Sequence, residues 1–415
     1  MTVLVEESHD LPLVDIAVVT AYGSAHDPPG KEGLARHTLE LMRRGAAAKT
    51  RAEIDDAFDG LGAEVGPIYH PDGVGMALRC LSRNVEPVLA LLSDVLFRPT
   101  LSSDEHARLQ REGLAAIDEM REDDVSVAYR FFDRYALWGH PYGRTGLGTP
   151  ASVEALTRAD AAAWAERGLH RDTLLWGFAG DVDTAHAEAA LSAALAAAPA
   201  RGPLPEPLPP VERSARRTLL IDKPDRAQAH VIIGHAAPPP SHPDELALFL
   251  GATAFGGTFT SRLVAEVRVK RGWSYSVGCR ISRARNGHTF RLRVVPAADR
   301  AADTLALVLD LLQAFAAEGP DDDEIDHARS YLAKSHAFEV ATASDRLDRR
   351  LEQVLWALPP DHHQTFVSRL AAVTPDEVRA AVKHWVRPDA ATVVVLASSD
   401  AIHLPGAEVL PYDSY

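Results

Sequence analysis

Apolar residues recur along this chain with two spacings. A three-to-four-residue period predicts helices over 33–44, 51–61, 84–97, 104–120, 125–138, 246–254, 261–270, 301–317 and 322–338. Short runs rich in Val, Ile and aromatic residues predict strands over 2–5, 14–20, 74–80, 229–234, 275–281 and 289–295. Strands and helices come in groups rather than in strict alternation. That grouping points to the α+β class, with antiparallel sheets packed against helices.

One segment interrupts the pattern near the middle. Residues 201–210 read RGPLPEPLPP, with five prolines. Proline fixes φ and has no N–H to donate, so an extended linker is expected over 201–215. It divides the chain into domains at 1–200 and 216–415. The two halves also resemble each other. TRADAAAWAERGLHRDTLLWGFAG, from residue 157, and TPDEVRAAVKHWVRPDAATVVVLA, from residue 374, share one plan. A capping Thr opens about three helical turns, a polar corner follows, and an apolar strand ends each. Thr157 and Thr374 are 374 − 157 = 217 residues apart, and Asp172 and Asp389 keep the same offset (389 − 172). Two similar domains related by duplication are therefore expected.

Composition narrows the function classes. With 46% hydrophobic residues the chain can bury sizeable cores, and a formal charge of −15 disfavours nucleic acid. Cys80 and Cys279 sit in no CxxC or Cys/His cluster, which suggests two buried free thiols. No basic-then-apolar leader opens the sequence. The apolar stretch 305–317 is broken by Asp310 and Gln313, so no membrane span is expected and a cytoplasmic location follows by default. No GxSxG elbow and no Walker lysine pattern is present.

Residues 23–45 read GSAHDPPGKEGLARHTLELMRRG, 140–149 read HPYGRTGLGT, and 255–277 read FGGTFTSRLVAEVRVKRGWSYSV. In this order they resemble the pitrilysin or insulinase-like zinc peptidases. The resemblance is strongest to the two-domain branch with mitochondrial processing peptidase and bacterial heterodimeric relatives. It runs over nearly the whole chain and implies a fold of two similar α+β halves. It also implies an inverted zinc motif, His-x-x-Glu-His, on the helix after the word EGLA. There, two imidazoles one turn apart hold zinc and the Glu is the general base on its water.

Aligned without gaps, Arg36 stands at the first His, Leu39 at the Glu and Glu40 at the second His. A ligand has become a cation and the base an aliphatic side chain. Shifting by one residue brings in His37 and Glu40 but puts Leu41 at the second His. Glu119 resembles the distal glutamate ligand. A rival metal site of His37, Glu40 and Glu119 remains open, because His37 and Glu40 share a helix face. The simpler expectation has His37 packed at the helix surface and Glu40 paired with Arg36 or Arg44.

The second half keeps a different feature of the family, an Arg and a Tyr seven residues apart. Here these are Arg268 and Tyr275. The resemblance implies that this pair reaches a zinc centre held elsewhere. The phenol would donate to the carbonyl oxygen that gains charge, and the Arg would anchor substrate backbone. No zinc is then expected in this chain, and zinc is expected in a homologous partner with an intact His-x-x-Glu-His. The two subunits would enclose peptides or unfolded segments that add to a sheet edge. Two alternatives stay open: a catalytically inert scaffold of the same fold, and a self-sufficient peptidase with the His37/Glu40/Glu119 site.

Overall fold

A computed structural model describes residues 1–212 and 215–415 of the chain. Two larger sheets organise it. The first comprises β1 (Thr2–Glu7), β2 (Leu13–Thr20), β3 (Glu64–His70), β4 (Gly73–Leu81) and β5 (Leu174–Gly180). Its spatial order is β1–β5–β2–β4–β3. The second comprises β6 (Arg217–Asp222), β7 (His230–Ala237), β8 (Val277–Ala284), β9 (Gly287–Val294), β10 (Thr392–Ala397) and β11 (Glu408–Pro411). Read from its β11 edge, its order is β11–β6–β10–β7–β9–β8.

Without β11 the two orders coincide strand for strand. β2 and β7 are displaced by 230 − 13 = 217 and 237 − 20 = 217 residues, the offset seen in the sequence repeat. The sheets are mixed rather than purely antiparallel. β1 runs parallel to β5, and β6 runs parallel to β10 and β11. The parallel pairs arise because each half begins with the strand beside which its last long strand returns. That closing connection crosses over the sheet instead of turning back as a hairpin.

The compact units depart from the linear division at the linker. One gathers Met1–Ile117, Thr145–Pro207 and Phe338–Leu355. The other gathers Asp118–Arg144, Leu208–Ala337 and Trp356–Tyr415. Each sheet thus receives one helix from the opposite half of the sequence, and the exchange is reciprocal. The helices Asp124–Ala136 and Ala343–Leu355 are displaced by 343 − 124 = 219 residues.

Strand composition explains why both faces must be covered. In β5, Trp176 and Phe178 enter the large core of the first unit, while Leu175 and Ala179 face the other way. Leu347 and Leu351 of Ala343–Leu355 cover that second face, and Arg346 and Arg350 of the same helix both pair with Glu6, at 3.0 and 2.8 Å. In β10, Val393 and Val395 enter one core, and Val394 and Leu396 meet Phe131 and Phe132 of Asp124–Ala136. A strand buried on both faces reads as a continuous apolar run, as TVVVLA does.

The linker has no regular secondary structure over 201–212, and residues 213 and 214 of its expected span lie outside the described residues. Tyr22 of the first unit donates to the Pro203 carbonyl at 3.2 Å. In the second unit, Asn286 donates to the Leu208 carbonyl at 3.2 Å. Cys80 and Cys279 are buried free thiols. Among the described residues, no helix is long and apolar enough to cross a membrane.

The repeat is visible in its helix starts. Thr157 and Thr374 each accept from the backbone N–H three residues on, at 3.1 and 3.3 Å. Asp160 and Glu377 accept back from the Thr N–H, at 2.8 and 2.7 Å. Thr157→Ala should cost about 1 kcal/mol, and Thr374→Ala a similar amount, read as the loss in chemical denaturation. Unchanged stability in both variants would mean that the caps do not hold these helices.

Candidate functional site

The helix that resembles the zinc motif spans Leu34–Met42. Asp27, buried beneath its N-terminus, accepts from the backbone N–H groups of Gly33 and Ala35 at 2.9 and 3.0 Å. Gly33 has φ +95°, a conformation that favours glycine, so the EGLA word marks the turn that launches the helix.

Arg36, Leu39 and Glu40 are each engaged differently. Leu39 is buried in the core of its unit. Glu40 accepts from Arg36 Nε at 2.9 Å and from the Tyr69 hydroxyl at 2.8 Å. The Arg36 guanidinium also lies over the Tyr69 ring, 4.7 Å from its centroid. Burial, and next the Glu40 charge, push the Tyr69 phenol well above its usual range, so it stays a donor. Beside this network is a cavity of about 220 Å³, lined among others by Leu39, Glu40, Arg43, Tyr69 and Met76. A zinc ion does not fit this set, because its one well-placed carboxylate is already engaged by a cation and a phenol.

His37 corrects the expectation of a surface histidine. It is 6% exposed, and its Nε2 lies 2.9 Å from Nδ1 of His106 on the helix Ser103–Glu122. Burial first, then the charges of His106 and Arg44, lower its pKa to about 4. Arg44 pairs with Glu105 and Glu112 and leaves Glu40 to Arg36. Glu119 is exposed and falls in the second unit. Among the described residues, no group of three or more His, Cys, Asp or Glu is placed to hold a metal ion, so the rival His37/Glu40/Glu119 site has no geometric support.

The Arg268–Tyr275 segment lies in the second unit. The helix expected over 261–270 is a single α turn, Arg262–Val264, that widens into a π-helical stretch, Ala265–Lys270. Such widening is rare and often accompanies functional sites. Gly272, at φ +65°, ends it. The following strand starts at Val277 and not at residue 275, so Tyr275 stands on the connecting loop.

Charges around the pair are sorted. Arg262 pairs with Glu324 at 2.6 Å, Arg271 with Glu266 at 2.6 Å, and Lys270 also with Glu266. Arg268 makes no ion pair among the described residues. Its guanidinium lies instead over two aromatic rings, 4.1 Å from the Tyr275 centroid and 5.4 Å from that of Phe259. Tyr275 is 80% exposed and Phe259 79%. A guanidinium stacked on ring faces keeps its edge N–H groups available to an acceptor.

Residues 2–149 match the family model of the insulinases, peptidase family M16, and residues 155–332 match that of the peptidase M16 inactive domain. The chain belongs to peptidase family M16. An uncharacterized zinc protease of Streptomyces coelicolor is 27% identical to this M16 member over 398 residues, 93% of this chain and 85% of that protein. A non-peptidase homologue of Helicobacter pylori is 20% identical over 382 residues, covering 92% and 88%. A crystal structure of a peptidase M16 inactive domain from Pseudomonas fluorescens superposes with a TM-score of 0.87 at 27% identity, over 95% of each chain.

Three side chains that pattern alone did not single out shape the sites of this M16 chain. Tyr69 carried no signal, because EVGPIYH contains a proline and reads as a loop. His106 sits in a polar stretch, and nothing local announces its pairing with His37. Phe259 was within reach, as a lone large aromatic in the otherwise small and polar GGTFTS.

Proposed function

We propose that this chain is the non-metal-binding subunit of a two-chain M16 metallopeptidase, lending Arg268 and Tyr275 to the zinc centre of a homologous partner. The observation that carries this reading is the state of Arg268. Among the described residues it is left unclaimed by carboxylates while Arg262, Lys270 and Arg271 are paired, and it lies against an exposed tyrosine. A scaffold has no need to keep such a donor pair presented to solvent. Strand β8 supports the same role. It begins two residues after Tyr275 and has a neighbour on one side only, which suits an extended peptide.

In this reading zinc and the attacking water come from a partner with an intact His-x-x-Glu-His. Peptides or unfolded segments are the substrates, and this chain supplies oriented donors. The purified chain should cleave no peptide alone, and cleavage should appear on mixing with that homologue. Chelator-sensitive hydrolysis by the isolated chain, with about one tightly bound zinc, would overturn the reading. The inert scaffold is a second reading, favoured by the Helicobacter non-peptidase homologue. It expects that mixing adds no activity traceable to Arg268 or Tyr275.

A further inference from the structure

We infer that Phe259 is a positioning residue for Arg268, an inference that rests on the proposed role of the Arg268–Tyr275 pair. An arginine side chain has many rotamers, so a free one is a poor preorganised donor. Among the described residues nothing ionic fixes Arg268, and the two rings are what it rests against. The Tyr275 ring is the closer of the two, and Phe259 supplies the second face.

The loop that carries Phe259 is held on both sides of the residue. Thr260 Oγ1 is 2.8 Å from His327 Nε2, and the Ser261 hydroxyl donates to the Thr258 carbonyl at 2.6 Å. The Phe259 ring, by contrast, buries little of itself in its own unit. A large apolar ring kept in solvent on a pinned loop adds nothing to the core. Among the described residues, its one ring interaction is with Arg268.

An exposed cation–π contact is worth about 0.5–1 kcal/mol, or about two- to fivefold in rate if it acts through Arg268. The test compares Phe259→Ala, Phe259→Tyr, Arg268→Ala and the Phe259→Ala/Arg268→Ala double variant, each mixed with the zinc-bearing partner. Phe259→Ala should lower kcat/KM by about two- to fivefold, and Phe259→Tyr should restore it. In the Arg268→Ala background, removing the ring should change nothing further. Equal losses in both backgrounds, or no loss from Phe259→Ala when Arg268→Ala is impaired, overturn the inference and leave the proposed function standing. Full activity in Arg268→Ala overturns the proposed function itself. A second readout needs no partner. In the isolated chain the Arg268 side-chain N–H resonance should shift in Phe259→Ala and hold in Phe259→Tyr, and an unmoved resonance overturns the inference.

Discussion

Tyr275→Phe should lower kcat of the mixed two-subunit enzyme by about two to three decades and leave KM nearly unchanged. The change removes one hydroxyl from a side chain that is 80% exposed, so the fold has little to lose. Arg268 keeps an aromatic face to lie on, since phenylalanine offers the same ring. On the proposed role, what disappears is a donor to the oxygen that gains negative charge only in the transition state. Deleting one such preorganised donor typically costs about 3 kcal/mol. Because the ground-state carbonyl gains little from it, the loss falls on kcat rather than on binding. Wild-type turnover in Tyr275→Phe, with complex formation confirmed by size-exclusion chromatography, would falsify the catalytic role and return the chain to the scaffold reading.

The sequence carried the fold further than it carried the sites. Helices with long periodic stretches were legible nearly to their ends: 84–97 was expected and Val85–Phe97 is observed, and 322–338 became Asp322–Glu339. Strand β3 was missed because Pro67 weakens the pattern. That proline is tolerated at the outer position, where β3 has a neighbour on one side only. The reciprocal exchange of Asp124–Ala136 and Ala343–Leu355 was invisible for another reason. An amphipathic helix shows that it will be covered on one face, and local pattern says nothing about which sheet receives it.

The sites divide along the same line. That positions 36, 39 and 40 lack the His, Glu and His of the inverted motif is legible in the sequence alone. What replaced them needed three dimensions, because Tyr69 reaches Glu40 from a strand 29 residues away. The pairing of His37 likewise spans 69 residues. Arg268 and Tyr275 were legible as a spacing, yet the absence of a carboxylate on Arg268 follows from where Glu266 and Glu324 point. On the helix Leu34–Met42, positions 36, 39 and 40 are taken up by packing and an ion pair.

A neighbour of those positions on the same helix makes stability depend on acid. His37 is neutral in the fold, with a pKa of about 4 against 6.5 unperturbed. Above about pH 6.5 neither folded nor unfolded chain is protonated there, and the full stability is present. As pH falls from 6.5 toward 4, the unfolded chain binds a proton that the buried imidazole refuses, so stability falls. A depression of this size corresponds to about 3 kcal/mol, complete near pH 4. His37→Gln keeps an amide that can hydrogen-bond His106 but does not titrate. Urea unfolding at pH 7 and at pH 4.5 should therefore show a clearly smaller acid loss in His37→Gln than in the wild type. His362, also depressed to about 4 by burial and next by Arg369, titrates in both proteins and cancels in the comparison. Parallel pH profiles for the two chains would mean that His37 is solvated or already charged in the fold. The helix Leu34–Met42 would then not have closed over its histidine.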